Sequence, residues 1–429
     1  MIQEKNYRAL FNGIETPVEL VNGQYVIPIN FDNGATTPPL KQVDTFVSEN
    51  ILMYGSVGRG GHKSNYCTKA YEISKEEILD FFNLKVEDGY EVIYVKNTTE
   101  GINLLANILC DRNNYKVLTS RLEHHANDLP WRKMSNVFYI EVDHEGKLNL
   151  DEIEWVLKRS LGTIKYVTLS GASNVTGYIQ PIHEVAALTH KYGAYLIVDA
   201  AQLVAHRAID IKGNSKEEAI DFLVFSGHKM YAPFGSGVVI GKKALLEDKV
   251  PFLQGGGAVS AVFDNDVYYK TTYEKDEAGT PNFLGVMSIV AAMTVLKIVG
   301  FEEIVAHENL LKNYMLKGLK SIPQVILYGD INEKQRVGVI PFNIQGMHHS
   351  KVGRYLQDLR GIALRTGCFC AQPYVMRLLG ISDAQRYEYF NIPDYPKPGM
   401  IRISFGLYNT CKEIDEFLNT LEYIIKYCR

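Results

Sequence analysis

The residues of this 429-residue chain that could do covalent chemistry gather round a lysine. Lys229 stands in Ile220 to Gly237, IDFLVFSGHKMYAPFGSG. There Asp221 to Phe225 predicts a short buried strand that breaks into the polar turn Ser226-Gly227-His228-Lys229 and then a Gly/Pro-rich loop. An amine pinned just beyond a buried strand end loses hydration, which lowers its pKa as a Schiff-base lysine requires. Ser226 and His228 beside it offer donors to an anion. Taken alone, this tetrapeptide is more often a solvated surface loop. Upstream, Gly193 to Gln202 reads GAYLIVDAAQ, where Asp199 ends the apolar run Leu196 to Val198. An aspartate in that place is equally suited to capping a helix. An acid, a following Gln202 and a lysine, delivered by successive strand ends, are also the parts that hold a pyridoxal ring. The acid pairs with the ring nitrogen, the glutamine donates to the phenolate oxygen and the lysine bonds the aldehyde carbon. Together they predict pyridoxal 5′-phosphate as cofactor.

Further candidates fall at other strand ends. Glu91 to Val95, EVIYV, predicts a buried strand, followed by Lys96-Asn-Thr-Thr-Glu100 and a helix through Leu109. Thr98 and Thr99 would bring hydroxyls, free amides and the positive dipole end together as a phosphate site, although the same residues also serve as an N-cap. Lys116 to Ser120 is a further strand that leads to Glu123-His124-His125. Adjacent histidines point apart and no third ligand sits at a helpful spacing, so a metal centre fits poorly. An imidazole at His124 stacked on a pyridine face fits the lysine and aspartate better. Val167 to Ser173 gives another strand end with Asn174 just beyond it. Thr280, in Glu277-Ala-Gly-Thr-Pro-Asn282, lies in a loop expected to sit far from its own chain's site and to reach phosphate across a dimer interface.

The elements that must position these residues alternate strand and helix through Ile240, with the unusual side chains at strand C-terminal ends, where open α/β sheets bind ligands. The expected division is an N-terminal segment, 1–30, joining the small domain, a large cofactor-binding α/β domain, 31–285, and a smaller C-terminal domain, 286–429. Within the first segment Asn22-Gly23 predicts a hairpin. The most apolar run, Leu284 to Val299, is shorter than the ~20 residues of a membrane span and reads as a buried helix. With 45 basic and 49 acidic residues the net charge is −4, which gives no electrostatic case for nucleic acid or an anionic membrane as partner. The first residues lack a secretory h-region, and six cysteines in so long a chain do not make a disulfide scaffold. A cytoplasmic location with reduced thiols is expected.

The ordered motifs NTTEGIN, EHHAND, SNVTG, VDAAQ, FSGHK, AGTPN, RTGCFCAQP and RISFGLYNT resemble those of the class V aminotransferase group of pyridoxal-phosphate enzymes. Within it the chain is most similar to cysteine desulfurases that also act as selenocysteine lyases, from Phe31 to about Leu421. The resemblance implies fold type I: a mostly parallel central sheet flanked by helices, plus a smaller α+β domain. It implies that Lys229 is the Schiff-base lysine and general acid/base, His124 the stacked imidazole, Asp199 the ring-nitrogen partner and Gln202 the phenolate donor. Thr98, Thr99, Ser226 and His228 fall where the family binds phosphate, with Thr280 supplied by the second subunit of a homodimer. Asn174 and Arg402 match the residues that hold the substrate carboxylate, with Arg365 assisting beside the nucleophile loop. Cys370 falls at the thiol that attacks the substrate sulfur. The implied reaction turns L-cysteine, or L-selenocysteine, into L-alanine, leaves a persulfide on Cys370 and serves a sulfur-acceptor protein.

The chain departs from the usual desulfurase pattern at Gly58, Cys368 and Phe369, each a position where histidine is common. Cys-Phe-Cys is closer to the molybdenum cofactor sulfurases, which leaves the sulfur acceptor and the role of Cys368 open. Tyr387 to Pro398, YEYFNIPDYPKP, reads as an ordered loop that narrows access to the site. The competing readings are an aminotransferase or β-eliminating lyase on the same scaffold, and a non-catalytic sulfur-delivery protein that keeps the fold.

Overall fold

The structure, a computed structural model, describes residues 5–110, 115–143, 145–393 and 395–428. Seven strands form the central sheet: β1 (Tyr90–Val95), β2 (Lys116–Ser120), β3 (Asn136–Ile140), β4 (Ile164–Ser170), β5 (Tyr195–Asp199), β6 (Phe222–Ser226) and β7 (Gly237–Lys242). Their spatial order is β1-β7-β6-β5-β4-β2-β3. β2 to β6 pair in parallel, and the middle strands are near-continuous apolar runs buried on both faces, as helices on either side require. β7 pairs antiparallel with both β1 and β6, so β1 points the same way as β6 and its end reaches the same sheet edge. Gly237 lies opposite Val95 on one side and Ser226 on the other. A Cβ there would fall 2.7 Å from the Phe225 carbonyl and 2.8 Å from Asn97 Cα.

Helices α1 (Lys41–Leu52), α2 (His62–Phe81), α3 (Thr98–Leu109) and α4 (Phe283–Val299) belong to the same unit. α4 is apolar on nearly every side, so it must be covered on every side. α1 and α2 supply part of that cover, with Phe283, Val286 and Met287 packed on Cys67 and Tyr71. α4, which straddles the expected boundary after residue 285, therefore packs with the large unit.

The second unit is built from α5 (Phe301–Ser321), α6 (His349–Arg360), α7 (Asp383–Asn391) and α8 (Cys411–Tyr427). Its antiparallel sheet holds β8 (Val325–Leu327), β9 (Val339–Ile344), β10 (Arg365–Gly367) and β11 (Met400–Ser404), in the order β8-β9-β11-β10. Leu311, Phe342, Leu356, Ile403 and Phe417 form its core together with Ile29 and Phe31 from the start of the chain. Ile29 and Asn30 add a short parallel pairing with Ile362 and Ala363. Among the described residues no single helix is long and apolar enough to cross a membrane. Tyr387–Asn391, expected in a loop, instead completes α7, which starts from a capping box between Ser382 and Gln385.

Candidate active site

Parallel register brings the strand ends together: Ser170 of β4 lies opposite Asp199 of β5, and Asp199 opposite Val224 of β6. Beyond these ends is a cavity of about 220 Å³ lined by His124, Asp199, Lys229, Cys370 and Arg402. Thr98, Thr99, Asn174, Gln202, Ser226, His228 and Arg365 also border it. Of the residues expected to hold cofactor or substrate, Thr280 does not line it and is exposed on the surface of the chain, and Cys368 also lies outside it.

One end of the cavity suits an anion. α3 opens at Thr98 with Asn97 as its cap, whose side chain accepts the Glu100 amide at 3.0 Å. The Ser226 hydroxyl accepts the Thr98 amide at 2.8 Å and lies 2.7 Å from the Thr98 hydroxyl. Two hydroxyls thus stand at the positive end of a helix. Burial, helped by the Lys229 charge, pushes the His228 imidazole down to about 4, so it is neutral near pH 7. The carbonyl of His228 accepts the Thr36 and Thr37 hydroxyls at 3.2 and 3.0 Å, which holds the lysine turn against the loop after Phe31.

The middle of the cavity is set up for an aromatic ring and an amine. Burial lowers the Lys229 amine to about 8; Asp199 opposes this and Arg402 reinforces it. Burial raises the Asp199 carboxyl, against the Ala201 amide bonded to its Oδ1 at 2.9 Å and the Lys229 charge. The His124 imidazole is pushed to about 3 by burial and by Lys229. Its Nδ1 accepts the Ala126 amide at 3.1 Å, so the neutral ring carries its proton on Nε2. Gln202 donates one amide hydrogen to the Gly34 carbonyl at 2.7 Å.

At the far side Arg402 is fully enclosed. It donates to the Asn174 carbonyl and to Asp32 Oδ1, each at 3.0 Å, while its buried Nε has no acceptor among the described residues. Burial weakens its hold on the proton and Asp32 restores part of it. The guanidinium also lies over the Phe369 ring, 5.1 Å from its centre. Asn174, expected to hold a substrate carboxylate, here donates its Nδ2 to the Phe369 carbonyl at 2.7 Å and so fixes the cysteine loop. In that loop Phe369 (φ 53°) and Cys370 (φ 54°) are consecutive left-handed residues. Such a backbone costs about 1–2 kcal/mol per residue and persists only where its surroundings impose it. The imposing contacts are the Asn174 bond and the His125 amide, which donates to the Cys370 carbonyl at 2.6 Å. Arg365 is half exposed and 3.9 Å from Asp32.

Two residues of the site went unrecognised in the sequence. Asp32 is the counter-ion of Arg402, and its only signal was its place in the small-residue stretch after Phe31. Glu123 lies buried behind His124 and accepts bonds from Ser120, Asn127 and Ser170, while burial raises its carboxyl to about 7. Nothing beyond its neighbour marked it.

A desolvated amine, a buried carboxyl, a neutral imidazole and a hydroxyl-lined helix start fit a phosphorylated aromatic aldehyde such as pyridoxal 5′-phosphate. The orphaned Nε of Arg402 adds a buried donor without an acceptor, as an anion subsite would. The comparisons with known proteins agree in kind. A cysteine desulfurase of Klebsiella pneumoniae (strain 342) is 35% identical over 387 residues, 87% of each chain. A probable cysteine desulfurase of Streptomyces coelicolor is 31% identical over 411 residues, 92% of each. Among solved structures, an apo cysteine desulfurase of Thermococcus onnurineus NA1 superposes with a TM-score of 0.82 at 31% identity, covering 99% of this chain and 100% of that one. A cysteine desulfurase of Escherichia coli in its S-sulfonic acid form gives 0.80 at 25% identity, covering 98% of both. The family model for aminotransferase class-V matches residues 29–417, nearly the whole length, and the chain belongs to that family.

Proposed function

We propose that this protein is a pyridoxal-phosphate-dependent cysteine desulfurase, which converts L-cysteine to L-alanine and keeps the sulfur as a persulfide on Cys370. The observation that carries this reading is that a desolvated lysine amine and a cysteine thiol border the same small cavity. The cofactor, when bound, supplies the electron sink that weakens the bonds around the substrate's α-carbon. Thr98, Thr99, Ser226 and His228 hold its phosphate, Asp199 its ring nitrogen and Gln202 its phenolate oxygen, with His124 against the ring face. With a pKa of about 8, Lys229 is unprotonated in roughly a tenth of molecules at pH 7, so it can both take and return a proton at the substrate carbon. Arg402 binds the substrate carboxylate, with Asn174 and Arg365 beside it. The Cys370 thiolate attacks the substrate sulfur; a sulfur–sulfur bond forms as the Cβ–Sγ bond breaks, and the electron pair left on Cβ takes a proton.

The active form is a homodimer in which Thr280 completes the partner's phosphate site. This part rests on Thr280 being exposed and away from its own chain's cavity. Free thiols at Cys368 and Cys370 suit a reducing compartment such as the cytoplasm. Selenocysteine is a second substrate of the same site, because selenium leaves carbon more readily than sulfur.

The test is product analysis on L-cysteine with the holoenzyme. Alanine together with an alkylatable persulfide supports the proposal. Pyruvate and ammonia as the main products would replace it with β-elimination, and full cysteine turnover by Cys370→Ala would remove the thiol from the mechanism.

A further inference from the structure

The Cys368-Phe369-Cys370 loop separates two hollows. In an extended strand, residues two apart share a face. The left-handed pair at Phe369 and Cys370 breaks that relation, and the two thiols border different spaces: Cys370 the inner cavity with Lys229, Cys368 a separate outer cleft of about 650 Å³. The cleft is of a size that takes a small molecule. It is lined by Arg121, Arg132, Arg377, Arg386 and Lys397. Among the described residues, the carboxylates that pair with these cations are Glu141, Asp128 and Asp383, so positive charge is in excess. The buried Nε of Arg121 makes no hydrogen bond among the described residues, its nearest carboxylate oxygen being Glu141 Oε1 at 3.7 Å. Tyr387 and Tyr389 of α7 also line it, so part of the segment expected to narrow the active site borders this cleft instead. Cys368 is half buried at its edge, 3.5 Å from the Pro398 carbonyl. Burial raises the thiol's pKa and Arg386 counters that rise.

We propose that Cys368 relays the sulfur from Cys370 to an anionic acceptor of small-molecule size held in this cleft by its arginines. The proposal rests on the desulfurase reading and extends it to where the sulfur goes. In the relay, the Cys368 thiolate attacks the terminal sulfur of the Cys370 persulfide. A new sulfur–sulfur bond forms at Cys368, the one at Cys370 breaks, and Cys370 leaves as a thiolate that takes up the proton Cys368 gave. The step is an exchange between sulfurs and consumes no oxidant or reductant. It also returns Cys370 to the form that attacks the next substrate, while the persulfide sits where an acceptor can reach it without entering the cofactor cavity.

Two measurements test this. The holoenzyme is given a single turnover of L-cysteine, alkylated, and mapped by peptide mass. The extra sulfur is expected on Cys368 as well as Cys370 in the wild type, and on Cys370 alone in Cys368→Ser. Alanine formed with all of the wild-type sulfur on Cys370 would overturn the relay; pyruvate in place of alanine would instead overturn the reading beneath it. In the second arm, persulfide discharge is timed with mercaptosuccinate, 2-mercaptoethanol and cysteamine, each rate divided by that thiol's rate against a small free disulfide. The dianionic thiol is expected to lead the cationic one by about tenfold at low salt. That lead should shrink at high ionic strength and in the double variant Arg386→Glu, Lys397→Glu. Equal normalised rates for the three thiols would overturn the anionic acceptor.

Discussion

At the scale of single residues, the site is governed by how little water reaches its charged groups. Lys229 gives up its proton near pH 8 because burial outweighs the pull of Asp199. Capture of pyridoxal phosphate by the apoprotein needs the free amine, so its rate should rise with pH and level off above about 8, well below the ordinary lysine value of 10.5. Stopped-flow absorbance at a series of pH values measures this. Asp199→Asn removes the carboxylate that most favours the ammonium, with Asp32 a weaker second, so the midpoint should fall while the cofactor is retained more weakly; an unmoved midpoint would remove Asp199 from the lysine's surroundings. Arg402 offers a second case. Its guanidinium is already tied to Asp32 and Asn174, and a lysine in its place could not keep both bonds and still grip a carboxylate. Arg402→Lys should raise KM for L-cysteine at least tenfold, measured by alanine formation.

The element that matters most for sulfur chemistry is the short turn after β10, held from two sides by Asn174 and the His125 amide. Asn174→Ala removes one of these ties. The strained backbone should then relax and carry the thiol out of line, and a displacement of about 1 Å is enough to cost on the order of a hundredfold in rate. The expected signature is a large fall in kcat for persulfide formation with the visible absorbance of the bound cofactor preserved. Loss of absorbance instead would mean that Asn174 supports the cofactor pocket as a whole. Elements also show what can be read from a chain. Asp199 and Lys229 were legible because each places a charge at or within three residues of the end of an apolar strand, a contrast confined to a few residues. α7 was not, because its tyrosines and the following prolines resemble a loop; the capping pair Ser382 and Gln385 was the overlooked signal.

For the molecule as a whole, the two units are joined by buried charge. Glu308 of α5 meets His206 at 2.7 Å, Arg207 at 2.6 Å and the Gly338 amide at 2.6 Å, reaching from the small unit into the loop after β5. Burial alone would raise this carboxyl, but His206 and Arg207 outweigh it and hold it at about 2, against an ordinary value of 4.5. A carboxyl lowered on folding stabilises the protein fully above its unfolded value. That stability is lost as pH falls from about 4.5 toward 2, a contribution on the order of 3 kcal/mol. Glu308→Gln should therefore lower stability at pH 7 by about that amount and much less near pH 3, as urea melts at the two pH values would show. An equal loss at both would mean that charge is not the cause. Contacts of this kind escape sequence reading: Glu308 is 101 positions from Arg207 and Asp32 is 370 from Arg402, so no local pattern links them. The strand-end chemistry was readable, and the pairings that hold its two halves together were not.

Gly237 lines no part of the candidate cavity, yet it is the shim on which the anion cradle and the lysine turn keep their spacing. With backbone atoms of Phe225 and Asn97 already within 2.8 Å of where a first side-chain carbon would go, even a methyl has nowhere to retreat. Gly237→Ala would wedge the mouth of α3 away from Ser226 and loosen the grip on a phosphate from behind, while every residue that meets the ligand stayed unchanged.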